Sequence, residues 1–151
     1  MGGGRVGVRT PGPVQDTMIR PFRRTDITDE YIEYFKDPEF TRYLEAKNIT
    51  KKDAITHMET HGGIFMAIVD RMGRHVGNIK LCNGDLSTII FPPYQGMGYA
   101  TRAIKEMVKS HPNMTAGILH GNEASLRAYT KAGFTITGRT QEKTCLQIIA
   151  T

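Results

Sequence analysis

Cysteine is almost missing from this chain. Cys82 and Cys145 are its only two, and they fit no metal-ligand spacing. Neither a disulfide framework nor a cysteine-based metal site is expected. The simplest setting is reduced and intracellular, with both thiols buried in strands. Long apolar runs are missing too. No stretch approaches the roughly 20 residues that span a bilayer. Residues 1–17 lack the apolar segment of a signal peptide. A location in the cytoplasm and no membrane contact are therefore expected. There is no internal repeat, no helix-turn-helix and no RNA-binding motif.

What remains suits one domain. Of 151 residues, 39% are hydrophobic, enough for a single core. The deficit lies partly in residues 1–17, where glycine, proline and arginine leave little to bury. They read as a flexible tail or an expression remnant, and residues 18–151 as the domain. The formal net charge of +5 fits an anionic ligand. An ordinary solvated surface explains it equally well, and nucleic acid is not required.

Patterning gives the order of elements. Met18–Phe22 predicts a strand. Asp26 or Thr28 can cap a helix whose Tyr31, Ile32, Tyr34 and Phe35 share a face. Pro38 ends it, before a turn through Phe40, Tyr43 and Leu44. Thr50 and Asp53 form a capping box opening a second helix, which Gly62-Gly63 breaks. Ile64–Val69 is a continuous apolar run, the pattern of a central strand. His75–Leu81 and Leu86–Phe91 flank Asn83-Gly84, a two-residue hairpin turn. Pro92-Pro93 stops the pairing. A helix with Ala100, Ile104, Met107 and Val108 as its buried stripe follows. Then come a strand at Asn113–Leu119, a helix capped by Asn122 and closed by Gly133, and a last antiparallel pair, Thr135–Thr137 with Cys145–Ile149. Antiparallel strands first and a β-α-β-α portion later predict an α/β mixed, open sheet with helices on its faces.

The densest signal is Gln95-Gly96-Met97-Gly98-Tyr99-Ala100, running straight into Thr101 and the third helix. Such a junction offers free backbone N–H groups at the positive end of a helix dipole, a site for phosphate. Gly96 and Gly98 let an anion approach the backbone. A second motif follows the next strand: Asn122, Ser125, Tyr129, Lys131, Gly133 and Phe134. Together the two resemble the signature of the GCN5-related N-acetyltransferase family, Gln/Arg-x-x-Gly-x-Gly/Ala and Asn-x-x-Ser-x-x-x-Tyr/Phe-x-Lys-x-Gly-Phe. Ile19–Phe22, Asp37–Leu44 and His75–Leu81 are similar to its ribosomal-protein and sugar-amine branch. The likeness covers residues 18 to 140.

The resemblance implies that family's mostly antiparallel sheet of about six or seven strands, with helices on both faces. It implies an acetyl-CoA-dependent N-acetyltransferase without a metal, transferring acetyl directly to a primary amine in a ternary complex. Pantetheine would meet Ile89, Ile90 and Phe91 of the fourth strand, in a splay between the fourth and fifth. Pyrophosphate would sit on the N–H groups from Gln95 to Thr101, with Gly96, Met97, Gly98, Tyr99 and Ala100 between them. Asn122 would touch the donor while also capping its helix. Lys131 and Arg102 are either phosphate contacts or solvated. Tyr129 would serve the leaving thiolate; otherwise it packs beside Leu126.

The general base is where the chain departs from the family. The branch often carries Glu near Leu86 or Ser87. Asp85 is the nearest carboxylate, and beside Asn83-Gly84 it also reads as a turn residue. His120 ends the fifth strand beside the expected acetyl site, or bonds there to backbone. A water chain is the third option. The tight hairpin at Asn83-Gly84 implies a more open acceptor cleft, with walls around Tyr31, Tyr34 and Phe35. The acceptor is expected to be a small-molecule or terminal amine. Alternatives are a non-catalytic acyl-CoA-binding module, or an amine carried by nucleic acid or a ribosomal protein. A homodimer fits the resemblance as well.

Overall fold

Asn83 and Gly84 hold positive φ of 52° and 79°, so the chain reverses in two residues and lays one strand beside the next. That hairpin sits near the middle of a seven-stranded sheet in the computed structural model of the protein, which describes residues 18–149. The expected tail lies outside the described residues. The strands are β1 (Ile19–Pro21), β2 (Ile64–Val69), β3 (His75–Cys82), β4 (Asp85–Ile90), β5 (Asn113–Leu119), β6 (Thr135–Arg139) and β7 (Lys143–Ile149). The helices are α1 (Asp29–Tyr34), α2 (Lys51–Thr60), α3 (Tyr99–Ser110) and α4 (Glu123–Lys131). The sheet order is β1-β2-β3-β4-β5-β7-β6. Every neighbouring pair is antiparallel except β4 with β5. This is the mixed open sheet that the element order predicts.

Local rules account for the ends of the elements. The Thr28 hydroxyl, not Asp26, caps α1 by accepting from the Tyr31 N–H at 3.1 Å. Thr50 and Asp53 form their reciprocal box on α2, at 3.1 and 2.9 Å. β4 closes one residue early. Phe91 has already left the strand and leads into a 3-10 turn, Pro92–Tyr94. β2 is one place in from the edge, beside a β1 of three residues, and not central as its apolar run suggests. Cys82 and Cys145 do lie in strands, but as half-buried free thiols.

Two cores cover the two sheet faces. Leu86, Ile104, Met107, Tyr129 and Leu146 pack on the α3–α4 face. Tyr31, Ile32, Phe35, Ala54 and Phe91 pack on the α1–α2 face. This corrects the aromatic walls expected of an acceptor cleft. Tyr31 and Phe35 are interior side chains, and Tyr34 stacks on Phe91 at 4.7 Å. Aromatic rings at helical spacing are absorbed by the nearest apolar sheet face.

Asp26 is instead a buried anchor. Arg20 grips its carboxylate through two bonds of 2.8 and 2.9 Å, and the Arg23 N–H donates to it at 2.8 Å. Burial pushes the carboxyl up, but the Arg20 bond, the Arg23 amide and nearby His75 outweigh it and hold it below the usual carboxylate range. Its contribution is present above the unfolded-state value and is lost as pH falls through the lower folded value. Arg20→Met should cost about 3 kcal/mol at neutral pH, by leaving a buried charge without its cation. Denaturant melts of both proteins should converge in acid, once Asp26 is protonated in each.

No helix among the described residues is long and apolar enough to cross a membrane.

Candidate active site

The site begins where β4 and β5 part. Parallel pairing holds only at Asp85 and Thr115, whereas β3 and β4 stay in register from Gly77–Ile90 to Cys82–Asp85. The Thr115 N–H donates to the Gly84 carbonyl at 2.9 Å. The Thr115 hydroxyl donates to Asp85 Oδ1 at 2.8 Å. Beyond that clasp the strands diverge, and a carbonyl of β4 loses its natural partner. Tyr129 of α4 replaces it. The phenol has no exposed surface, donates to the Leu86 carbonyl at 3.2 Å, and lies 2.9 Å from Thr88 Oγ1. Burial drives its pKa well above the ordinary phenol value, and the Thr88 bond offsets only part of that.

A cleft of about 560 Å³ opens from this fork. Its floor is the outer half of β4, namely Thr88, Ile89 and Ile90. One wall is the loop into α3, with Tyr94, Gln95, Gly96, Gly98, Tyr99, Ala100 and Thr101. Another is the start and inner face of α4: Gly121, Asn122, Ser125, Arg127, Tyr129 and Lys131 among them. The segment Glu39–Leu44 closes the far side through Glu39, Phe40, Arg42, Tyr43 and Leu44.

The α3 loop has a defined shape. Gly96 and Gly98 hold φ of +76° and +84°, and Gly98 is the residue before the helix. The Gln95 side-chain amide donates to the Ile90 carbonyl at 2.9 Å, tying the loop to the end of β4. Among the described residues, no backbone N–H from Gly96 to Thr101 has a backbone or side-chain acceptor. These free donors stand at the positive end of a helix of 12 residues, in the cleft wall. Arg42, Arg127 and Lys131 outnumber Glu39 and Glu123 along the lining, so the cleft favours an anion. Arg102 lies outside it. Its guanidinium packs over the Tyr99 ring at 5.1 Å and donates to the Met97 carbonyl at 3.2 Å.

Most residues expected to hold the donor therefore come together, but some do not. Phe91 points to the opposite face and is 1% exposed in the second core. Strand alternation sends it away from a cleft that Thr88 and Ile90 border. Met97 does not border the cleft; the residue is 56% exposed. Asn122 borders it and precedes α4, but its side chain makes no capping bond, which leaves the amide free. Neither candidate base borders the cleft. Asp85 is held at the closed end of the fork by Thr115. The exposed His120 ring is bonded to the Thr140 carbonyl at 2.9 Å. Each is held by one structural hydrogen bond. Sequence reasoning missed Thr88, Tyr94, Arg42, Tyr43 and Arg127. Arg127 lies inside the second motif, between Ser125 and Tyr129, but is not one of its defining positions.

A protein-family model described as an acetyltransferase (GNAT) domain matches residues 16–135. No curated protein matches the sequence. Among solved structures, the fold is similar to a GNAT-family acetyltransferase from Bacillus anthracis, with TM-score 0.76, 19% identity, and 87% of this chain and 93% of that one covered. It is also similar to spermidine N-acetyltransferase from Vibrio cholerae in complex with CoA and spermine (TM-score 0.72, 15% identity, 86% and 93% covered). A third is the aminoglycoside acetyltransferase AAC(6')-Ib in complex with coenzyme A and kanamycin (TM-score 0.72, 13% identity, 87% and 94% covered). At such identities the likeness is one of fold.

Proposed function

We propose, from the premise that the chain belongs to the GNAT acetyltransferase family, that it transfers an acetyl group from acetyl-CoA to a small-molecule or terminal amine by direct attack. The observation that carries this reading is one cleft bordered by both halves of the needed chemistry. Free N–H groups from Gly96 to Thr101 suit a pyrophosphate, and the Tyr129–Thr88 hydroxyl pair stands in the fork of β4 and β5. Bound acetyl-CoA supplies an activated thioester carbonyl, and no protein nucleophile is required. In this reading Arg127 and Lys131 neutralise phosphate, and the free amide of Asn122 orients the donor. The Tyr129–Thr88 hydroxyl pair serves the departing sulfur with a hydrogen bond. Solved relatives of the same fold that carry CoA with a polyamine or an aminoglycoside support an amine acceptor of small size.

At one hundred times its dissociation constant, acetyl-CoA should add about 2.7 kcal/mol to stability. For a domain of this size that is a rise in Tm of roughly 6–10 °C. A melt unmoved by saturating acetyl-CoA would sink the proposal. Release of CoA thiol across pooled amines then tests transfer itself.

One observation favours a second reading. Neither Asp85 nor His120 borders the cleft, as expected of a module that binds acyl-CoA without turning it over. Thiol release with any amine pool removes that alternative. Binding without release from every pool supports it.

A further inference from the structure

The Tyr129 hydroxyl has one proton and two acceptors in reach, the Leu86 carbonyl at 3.2 Å and Thr88 Oγ1 at 2.9 Å. Its orientation decides what Thr88 presents to the cleft. With the phenol proton on Leu86, the Thr88 hydroxyl donates inward to Tyr129 and shows the cleft only lone pairs. With the phenol proton on Thr88, the threonine proton is released to point outward. Tyr129 has no exposed surface, while Thr88 is half-buried on the cleft floor. A group lying in the cleft therefore finds a usable donor at Thr88. Burial also sets the phenol far above the thiol range of about 8.5, so full proton transfer from Tyr129 to sulfur runs uphill.

Resting on the acetyltransferase reading above, we infer that the Thr88 hydroxyl is the group that hydrogen-bonds the departing CoA sulfur, and that Tyr129 holds it in the donating orientation. The acceptor nitrogen forms the new C–N bond, the C–S bond breaks, and its electron pair goes to sulfur. As charge builds there, the Tyr129 proton turns from the Leu86 carbonyl to Thr88 Oγ1, and the Thr88 proton turns to the thiolate. No proton leaves the pair. The proton shed by the acceptor nitrogen goes to water, and the thiolate later takes one from water, so the two hydroxyls end the turnover unchanged.

The test needs no acceptor. CoA itself, bound at saturation, is titrated with pH while its thiolate is followed by difference absorbance against desulfo-CoA. Thr88→Val should raise the midpoint of the bound thiol by about one unit, a tenfold loss of thiolate stabilisation. Thr88→Ser should restore it, and Tyr129→Phe should raise it in the same direction. With whichever amine the pools reveal, Thr88→Val should lower kcat about tenfold with KM for acetyl-CoA nearly unchanged. Thr88→Ala serves should the valine variant fold poorly. A wild-type midpoint retained in both Thr88→Val and Thr88→Ala overturns the inference and leaves the acetyltransferase reading standing. Failure of the wild-type protein to bind CoA overturns both.

Discussion

Tyr129→Phe is expected to lower turnover by about tenfold while leaving acetyl-CoA affinity within about twofold. The substitution removes one oxygen from a closed site and leaves the ring packed against Phe134 at 5.1 Å. What disappears is the donor that stands between the Leu86 carbonyl and Thr88. None of that touches the α3 loop, where the pyrophosphate is proposed to sit, so ground-state binding is spared. A stability cost comes with it. The Leu86 carbonyl becomes a buried acceptor without a partner, worth about 1–3 kcal/mol. Kinetics therefore belong well below the lowered Tm, with affinity measured by calorimetry on the same sample. Turnover within a factor of two of wild type would assign the phenol to packing and to repair of the open ladder alone.

Gly98→Val should weaken acetyl-CoA binding by 100-fold or more, an effect of about 2.7 kcal/mol. Gly98 holds φ of +84° immediately before α3, a region that a β-branched residue adopts only under strain. An added Cβ would meet Arg102 Nη1 at 2.9 Å, the far end of a flexible side chain that can move aside. Local crowding is thus not the obstacle. The loop instead relaxes toward negative φ, and the free N–H groups from Gly96 to Thr101 proposed to hold the pyrophosphate are displaced. A control separates this from plain strain. Gly73 holds φ of +83° in the turn between β2 and β3, has open space where a Cβ would stand, and does not border the cleft. Gly73→Val should lose similar stability, about 1–3 kcal/mol, and keep its affinity for acetyl-CoA. Equal affinity losses in both variants would mean that the α3 loop has no special part in binding.

These two positions mark where the sequence was informative. Gly98 and Tyr129 belong to motifs read within one loop and one helix, and both border the same cleft. Phe91, Asp85 and His120 show the opposite case. Each is one residue from a strand end or at it, and the neighbour that claims it comes from elsewhere in the chain. Tyr34 takes Phe91, Thr115 takes Asp85, and Thr140 takes His120. A turn residue and a catalytic carboxylate look the same until the partner strand is in place. Arg42 and Tyr43 were hidden for a related reason. They border the cleft because the Asp37–Leu44 segment reaches across to Gly121, where the Tyr43 hydroxyl comes within 3.0 Å of a Cβ position.

The sequence by itself determined what depends on near neighbours along the chain. The Asn83-Gly84 reversal, the Thr50–Asp53 box, the apolar stripe of α3 and the glycine loop before it all follow from φ preferences and hydrogen bonds spanning a few residues. The family signature is likewise written in two short stretches. Only the tertiary structure decided how far β4 and β5 stay paired, and hence that Leu86 presents a carbonyl without a strand partner and that Tyr129 and Thr88 share a proton position beside it. The physical reason is that parallel neighbours meet through a crossover helix. Their separation is set by how α3 and the sheet pack as bodies, and no local preference of β4 or β5 encodes it.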